Sequence, residues 1–144
     1  MRHPFTQLYV HLVWSTWKRA PLITPDLQQR LYAVIQHQAS QLGADVIAIG
    51  GIDDHVHVLT RFPTTISIST FVQRLKGASS HFVTHVAKAP CVFKWQGGYG
   101  AFTVSKRGVP TVRAYVLNQA EHHRTGTLYP DLERTEGQTV RSRG

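Results

Sequence analysis

Cysteine is nearly absent from this 144-residue chain. Its one copy, Cys91, excludes an internal disulfide and a cysteine-built zinc module, and it reads as a small buried hydrophobe. Acidic residues are scarce as well: 8 Asp and Glu face 16 Lys and Arg, giving a formal net charge of +8. An excess of that size attracts polyanions, and nucleic acid is the commonest of them. No apolar run is long enough to span a bilayer, and the start, Met1-Arg2-His3-Pro4-Phe5-Thr6, lacks a signal-peptide core. A cytoplasmic, nucleoid-associated protein is expected. Internal repeats, low-complexity linkers and a P-loop pattern are also missing. With 42% hydrophobic residues, the chain reads as one soluble domain large enough to bury a core.

The pattern along the chain predicts β-α-β-β-α-β-α. Residues 5–16 are rich in Val, Leu, Tyr and Trp and read as a first strand. Thr24-Pro25-Asp26 is a helix start, with a Thr cap, Pro in the first turn and an acid beside it. Leu27, Leu31, Val34, Ile35 and Leu42 keep helical spacing until Gly43. Residues 44–51 and 54–62 read as strands, 67–87 as a second helix and 99–105 as a fourth strand. A third helix is predicted from Val109-Pro110 to Arg124-Thr125-Gly126. The first six elements follow the split βαβ, ferredoxin-like order, an α+β sandwich with two helices on one face of a four-stranded antiparallel sheet. The third helix is an addition, and the other sheet face is expected to be open. Residues 1–128 form the expected domain, and 129–144, polar and charged, a flexible tail.

His55-Val56-His57 is the most informative motif. On a strand, residues two apart share a face, so both imidazoles can reach one divalent ion while Val56 points into a core. Half-buried histidines bonded to neighbours would leave the same pattern, so a metal site needs a third ligand and a reacting group. The third predicted helix supplies both: Tyr115 and Gln119 are four apart and share a face. His122, three beyond Gln119, is the alternative ligand, and His123 follows it. A core tyrosine, a solvated amide and a histidine pair at a helix C-terminus would also account for these residues. Asp54 either orients an imidazole or shapes the turn. Tyr99, between glycines before a strand, is the rival nucleophile.

The chain resembles the single-tyrosine HUH transposases, a family that includes the REP-associated tyrosine transposases. The resemblance rests on His11-Leu12-Val13-Trp14 with Lys18-Arg19-Ala20-Pro21, on Asp54-His55-Val56-His57, and on Phe71 through Ser80. It continues in Trp95 with Gly98 through Ser105, and in Tyr115-Val116-Leu117-Asn118-Gln119 with His122-His123. These pieces span about residues 5–125 in family order. The resemblance implies nicking and rejoining of single-stranded DNA through a 5′-phosphotyrosine link. Tyr115 would be the nucleophile, His55, His57 and Gln119 (or His122) the ligands of Mg²⁺ or Mn²⁺, and hairpin or single-stranded DNA the substrate. It also implies a homodimer in which one subunit's tyrosine helix can complete the other's site.

Physical reasoning agrees with that chemistry. A phosphodiester repels nucleophiles, and a divalent cation offsets the charge added during attack. Two neutral imidazoles and an amide oxygen leave that cation its full charge. Arg19, Lys76, Lys106, Arg107 and Arg113 are the candidate DNA contacts. Trp14, Trp17 and Trp95 are core residues or base-stacking groups. The rival functions are a domesticated REP-associated tyrosine nuclease, a hydrolytic metallonuclease in which Tyr115 is structural, and a non-enzymatic ferredoxin-like module that binds single strands.

Overall fold

The computed structural model describes residues 3–137. Four antiparallel strands, β1 (Tyr9–Ser15), β2 (Asp45–Ile52), β3 (His55–Arg61) and β4 (Gly100–Val104), pair in the order β2-β3-β1-β4. This is the ferredoxin-like arrangement that the element order predicts, with β1 and β3 central. Alternation along the central strands divides the sheet. Val10, Leu12 and Trp14 of β1 and Val56 and Val58 of β3 enter the main core. His11 and His57 approach one another from the opposite face.

Helices α1 (Pro25–Gln41) and α2 (Ile68–His81) cover the core face. The Thr24 side chain accepts the Leu27 N–H and Ser67 that of Thr70, so both helices start on satisfied caps. Leu27, Leu31, Ile35 and Ala39 from α1 meet Phe71, Val72 and Leu75 from α2. A π-turn, Phe82–Val86, extends α2 where the sequence suggested continuous helix to 87. Cys91 is exposed, a correction to the buried reading. Among the described residues, no helix is long and apolar enough to cross a membrane.

The second face is not open, as the split βαβ order alone suggested. The predicted third helix lies on it as two pieces, α3 (Val109–Leu117) and α4 (Gln119–Thr125), broken at Asn118, whose φ of −108° and ψ of 29° leave the helical region. Val116, fully buried against Ala48 and Leu59, anchors α3 to β2 and β3. Burying such a side chain stabilises the docking by roughly 1.5–3 kcal/mol. Gly50 makes the approach possible, because a Cβ there would fall on the Val116 carbonyl oxygen.

The tail expectation also needs correcting. Residues 129–136 return across the same face, with Pro130–Glu133 in a 3₁₀ turn. The strap passes so close to β4 that a Cβ on Gly100 would fall on the Arg134 carbonyl oxygen. The remainder of the expected tail, 138–144, lies outside the described residues.

Candidate active site

β3 delivers His55 and His57 to one face, both fully buried. The Asp54 carboxylate takes the Nδ1 hydrogen of His55 at 2.7 Å, which leaves Nε2 as the ring nitrogen that can offer a lone pair. Asp54 lies below its ordinary range. Burial acts to raise it, and the hydrogen bond and charge of His55, aided by Arg19, outweigh burial. Arg19 is 3.9 Å from Asp54.

Gln119 begins α4 and is buried. Its amide N–H donates to the Tyr115 carbonyl at 3.2 Å, which turns Oε1 toward the histidines. That oxygen lies 3.1 Å from His55 Nε2. His123 Nε2 joins them, 3.2 Å from His55 Nε2 and 3.1 Å from Gln119 Oε1. Its imidazole is held below the ordinary value by burial first and then by His55. Atoms sharing one ion at ~2.1 Å stand about 3 Å apart, which is the spacing of these three.

His122, the sequence alternative, faces elsewhere. Its Nδ1 bonds to Thr127, and its ring lies 4.8 Å from that of Tyr115. Helical geometry explains the difference. At about 100° per residue, four positions return to within about 40° of Gln119, whereas three stop about 60° short on the other side.

Tyr115 is buried beside His57, their ring centroids 5.9 Å apart. Glu133, on the strap, joins nucleophile and histidines. Its Oε1 accepts the Tyr115 hydroxyl at 2.5 Å, and its Oε2 accepts His57 Nε2–H at 2.9 Å. Oε2 also lies 3.5 Å from His55 Nε2. His55, His57 and Glu133 together form a group with ligand spacing. Burial tends to raise the Glu133 carboxyl, but the bonds from His57 and Tyr115 prevail and bring it to about 2. Burial, reinforced by Glu133, pushes Tyr115 up to about 12. Burial holds His57 below its ordinary value despite Glu133. No pattern in the sequence marks Glu133, since it sits in a polar stretch without periodicity.

The remaining candidates divide. Lys76 Nζ donates to the carbonyls of Gln96 and Gly98 at 2.9 and 2.6 Å, and Ser79 accepts the Trp95 indole N–H. That segment of α2 therefore fastens the loop beside β1 in place. Trp14 and Trp95 are core residues meeting edge to face. Trp17 is 39% exposed with Lys94 above its ring. Lys106, Arg107 and Arg113 are exposed around the start of α3, and Arg19 beside Asp54. Tyr99 packs at the edge of the main core, away from the histidines.

Comparison with known proteins agrees with this arrangement. The family model described as "Transposase IS200 like" matches residues 4–119. The ISDra2 transposase TnpA of Deinococcus radiodurans is 29% identical over 118 residues, covering 78% of this chain and 84% of that protein. A crystal structure of a candidate transposase from Deinococcus radiodurans R1 superposes with a TM-score of 0.63 at 26% identity, covering 83% of this chain and 95% of that one. A REP-associated tyrosine transposase bound to a REP hairpin shares the fold, with a TM-score of 0.60 at 17% identity, covering 100% and 94%. The chain belongs to the IS200-like transposase family, and its fold is that of the HUH tyrosine transposases.

Proposed function

We propose that this transposase cuts and rejoins single-stranded DNA with Tyr115 as nucleophile. The observation that carries this reading is the convergence of the Tyr115 hydroxyl, His55, His57 and Gln119 within one buried cluster. The donor set fits a hard divalent cation: two imidazole nitrogens, an amide oxygen and a nearby carboxylate at ligand spacing. His55 Nε2, His57 Nε2 and Gln119 Oε1 would hold Mg²⁺ or Mn²⁺, with Glu133 and His123 adjacent. Bound there, the ion supplies charge stabilisation at the scissile phosphate.

The chain's own groups define the rest. The Tyr115 oxygen forms a bond to phosphorus while the bond from phosphorus to the 3′-oxygen breaks. The products are a 5′-phosphotyrosine and, once that oxygen takes a proton, a free 3′-OH. The phenol proton has Glu133 Oε1 as its acceptor. At rest, burial and that same bond keep the phenol neutral. A cleft of about 540 Å³, lined by Ala114, Tyr115, Asn118, His122 and Tyr129, gives a strand room beside Tyr115. The link conserves phosphodiester energy, so rejoining needs no nucleotide. Hairpin DNA is the proposed substrate, in keeping with the hairpin held by the REP-associated neighbour of the same fold. Arg19, Lys106, Arg107 and Arg113 are the proposed backbone contacts.

A denaturing gel after incubation with hairpin and single-stranded DNA tests this reading. A covalent adduct that disappears in Tyr115→Phe is expected. Cut ends without an adduct would indicate hydrolysis, and intact DNA would indicate a binding module.

A further inference from the structure

His11 has no part in the reaction proposed above, yet it is completely buried on β1 beside the site. Its Nε2 lies 2.8 Å from Nδ1 of His57, with the two rings stacked 5.0 Å apart. Its own Nδ1 meets no partner among the described residues. His11 is sealed from water with no carboxylate bonded to it, and such burial disfavours a charged imidazole.

Two neutral imidazoles in contact nitrogen to nitrogen share one hydrogen, and there are two ways to place it. In the first, His11 Nε2–H donates to His57 Nδ1. His57 then carries its hydrogen on Nε2, where Glu133 accepts it at 2.9 Å. The unpartnered His11 Nδ1 is in that case a bare lone pair. In the second, His57 Nδ1–H donates to His11 Nε2. His57 Nε2 is then free to bind a cation, but His11 must carry its hydrogen on Nδ1, buried and without an acceptor. Orphaned N–H groups are the rarer kind in proteins, and bare acceptors the more tolerated. Where no cation is bound, the first arrangement is therefore favoured, and a ligand role for His57 requires the second.

We propose that His11 is a positioning residue that sets the tautomer of His57, the shared hydrogen crossing from His11 to His57 when His57 Nε2 is given to a cation. Each ring keeps one hydrogen throughout: His57 releases that on Nε2 to water as the cation arrives, and His11 takes one from water on Nδ1. A histidine ligand commonly has its tautomer fixed by the group bonded to its other nitrogen. At His55 that group is a carboxylate, which holds the ligand form at all times. At His57 it is a second imidazole, which permits both forms. The inference rests on the reading of His57 as a ligand.

The test is long-range ¹H–¹⁵N correlation spectroscopy of the full chain labelled at histidine nitrogens. Spectra are taken ion-free and then with Zn²⁺, a diamagnetic ion that imidazole binds well. Without ion, His11 and His57 should both show the Nε2–H form, with a scalar coupling between His11 Nε2 and His57 Nδ1 through the shared hydrogen. With Zn²⁺, both should change to Nδ1–H and the coupling should persist. Zn²⁺ shifts at His55 and His57 with His11 still Nε2–H would overturn the inference and leave the metal reading intact. A His57 already Nδ1–H without ion, or no coupling in either state, would overturn it too. No response at either ligand would remove the metal reading and the inference together.

Discussion

Gly100→Ala unlatches the strap without touching any site residue. The new methyl would overlap the Arg134 carbonyl oxygen and lie 2.8 Å from Val13 Cγ1 and 3.0 Å from Phe102 Cε2. β4 and β1 are held by their ladder, so the strap is the partner that yields. Restoring carbon–oxygen contact requires it to retreat by about 1 Å or more. The Glu133–His57 bond, 2.9 Å long, then passes beyond hydrogen-bonding range. Bonds to a charged group contribute about 1.5–3 kcal/mol each. Discounting two of them for the strap's partial exposure leaves about 2–3 kcal/mol, or about 30- to 150-fold in the open fraction. Trypsin cleavage after the exposed Arg134 reads that fraction when opening is fast relative to cutting. Its rate should rise by that factor while circular dichroism of the domain is unchanged. Tyr115 should ionise earlier, falling from about 12 toward its ordinary 10.0, by ultraviolet titration. Unchanged cleavage and an unchanged tyrosine would refute the strap geometry.

Gly50→Ala forces α3 off β2 through the Val116 carbonyl, so the adduct should be lost and thermal stability should fall by more than about 1 kcal/mol. Chelator should abolish nicking, Mn²⁺ or Mg²⁺ should restore it, and His55→Ala and His57→Ala should stay inactive with either ion. Gln119→Ala should weaken Mn²⁺ binding by calorimetry more than His122→Ala does, because His122 bonds to Thr127; equal losses would contradict that placement. Glu133 sits near 2 in the fold against an ordinary 4.5, so its stabilisation is complete above the ordinary value and lost as pH falls through about 2. Pepsin digestion across that window should find the strap increasingly open, and an open fraction independent of pH would count against the latch. The expected homodimer is tested by light scattering. Each chain assembles its own Tyr115, Gln119 and histidines, so mixing Tyr115→Phe with His55→Ala should leave the mixture inactive. Recovered activity would mean that subunits exchange their tyrosine helices.

The parts of the fold that obey a period were readable. Strand alternation put His55 and His57 on one face and Val56 behind them, and helical spacing put Gln119 beside Tyr115. The parts that depend on contacts between distant segments were not. The break at Asn118 has no proline or glycine to announce it. His123 replaces His122 at the cluster because an i+4 spacing lies closer to the ligand face than i+3. Glu133 belongs to a short turn whose order comes from what it touches, not from its composition. The glycines at 50 and 100 stood in the strand patterns, but why each lacks a side chain is evident only from the backbone above it. His11 belongs to a motif shared with the family, and only its neighbour across the sheet gives it a role.

The course of the strap has a practical consequence for handling the protein. An affinity tag or reporter fused downstream of Glu133 hangs from a segment that grips the nucleophile itself. Its bulk and charge would pull on Tyr115 as if on a lever, and kinetic comparisons between tagged preparations would mix the tag with the enzyme. A tag placed ahead of Phe5, which is 79% exposed and precedes β1, avoids that coupling. A cleavable downstream tag offers a direct gauge of it, since the same sample can be assayed before and after the tag is removed.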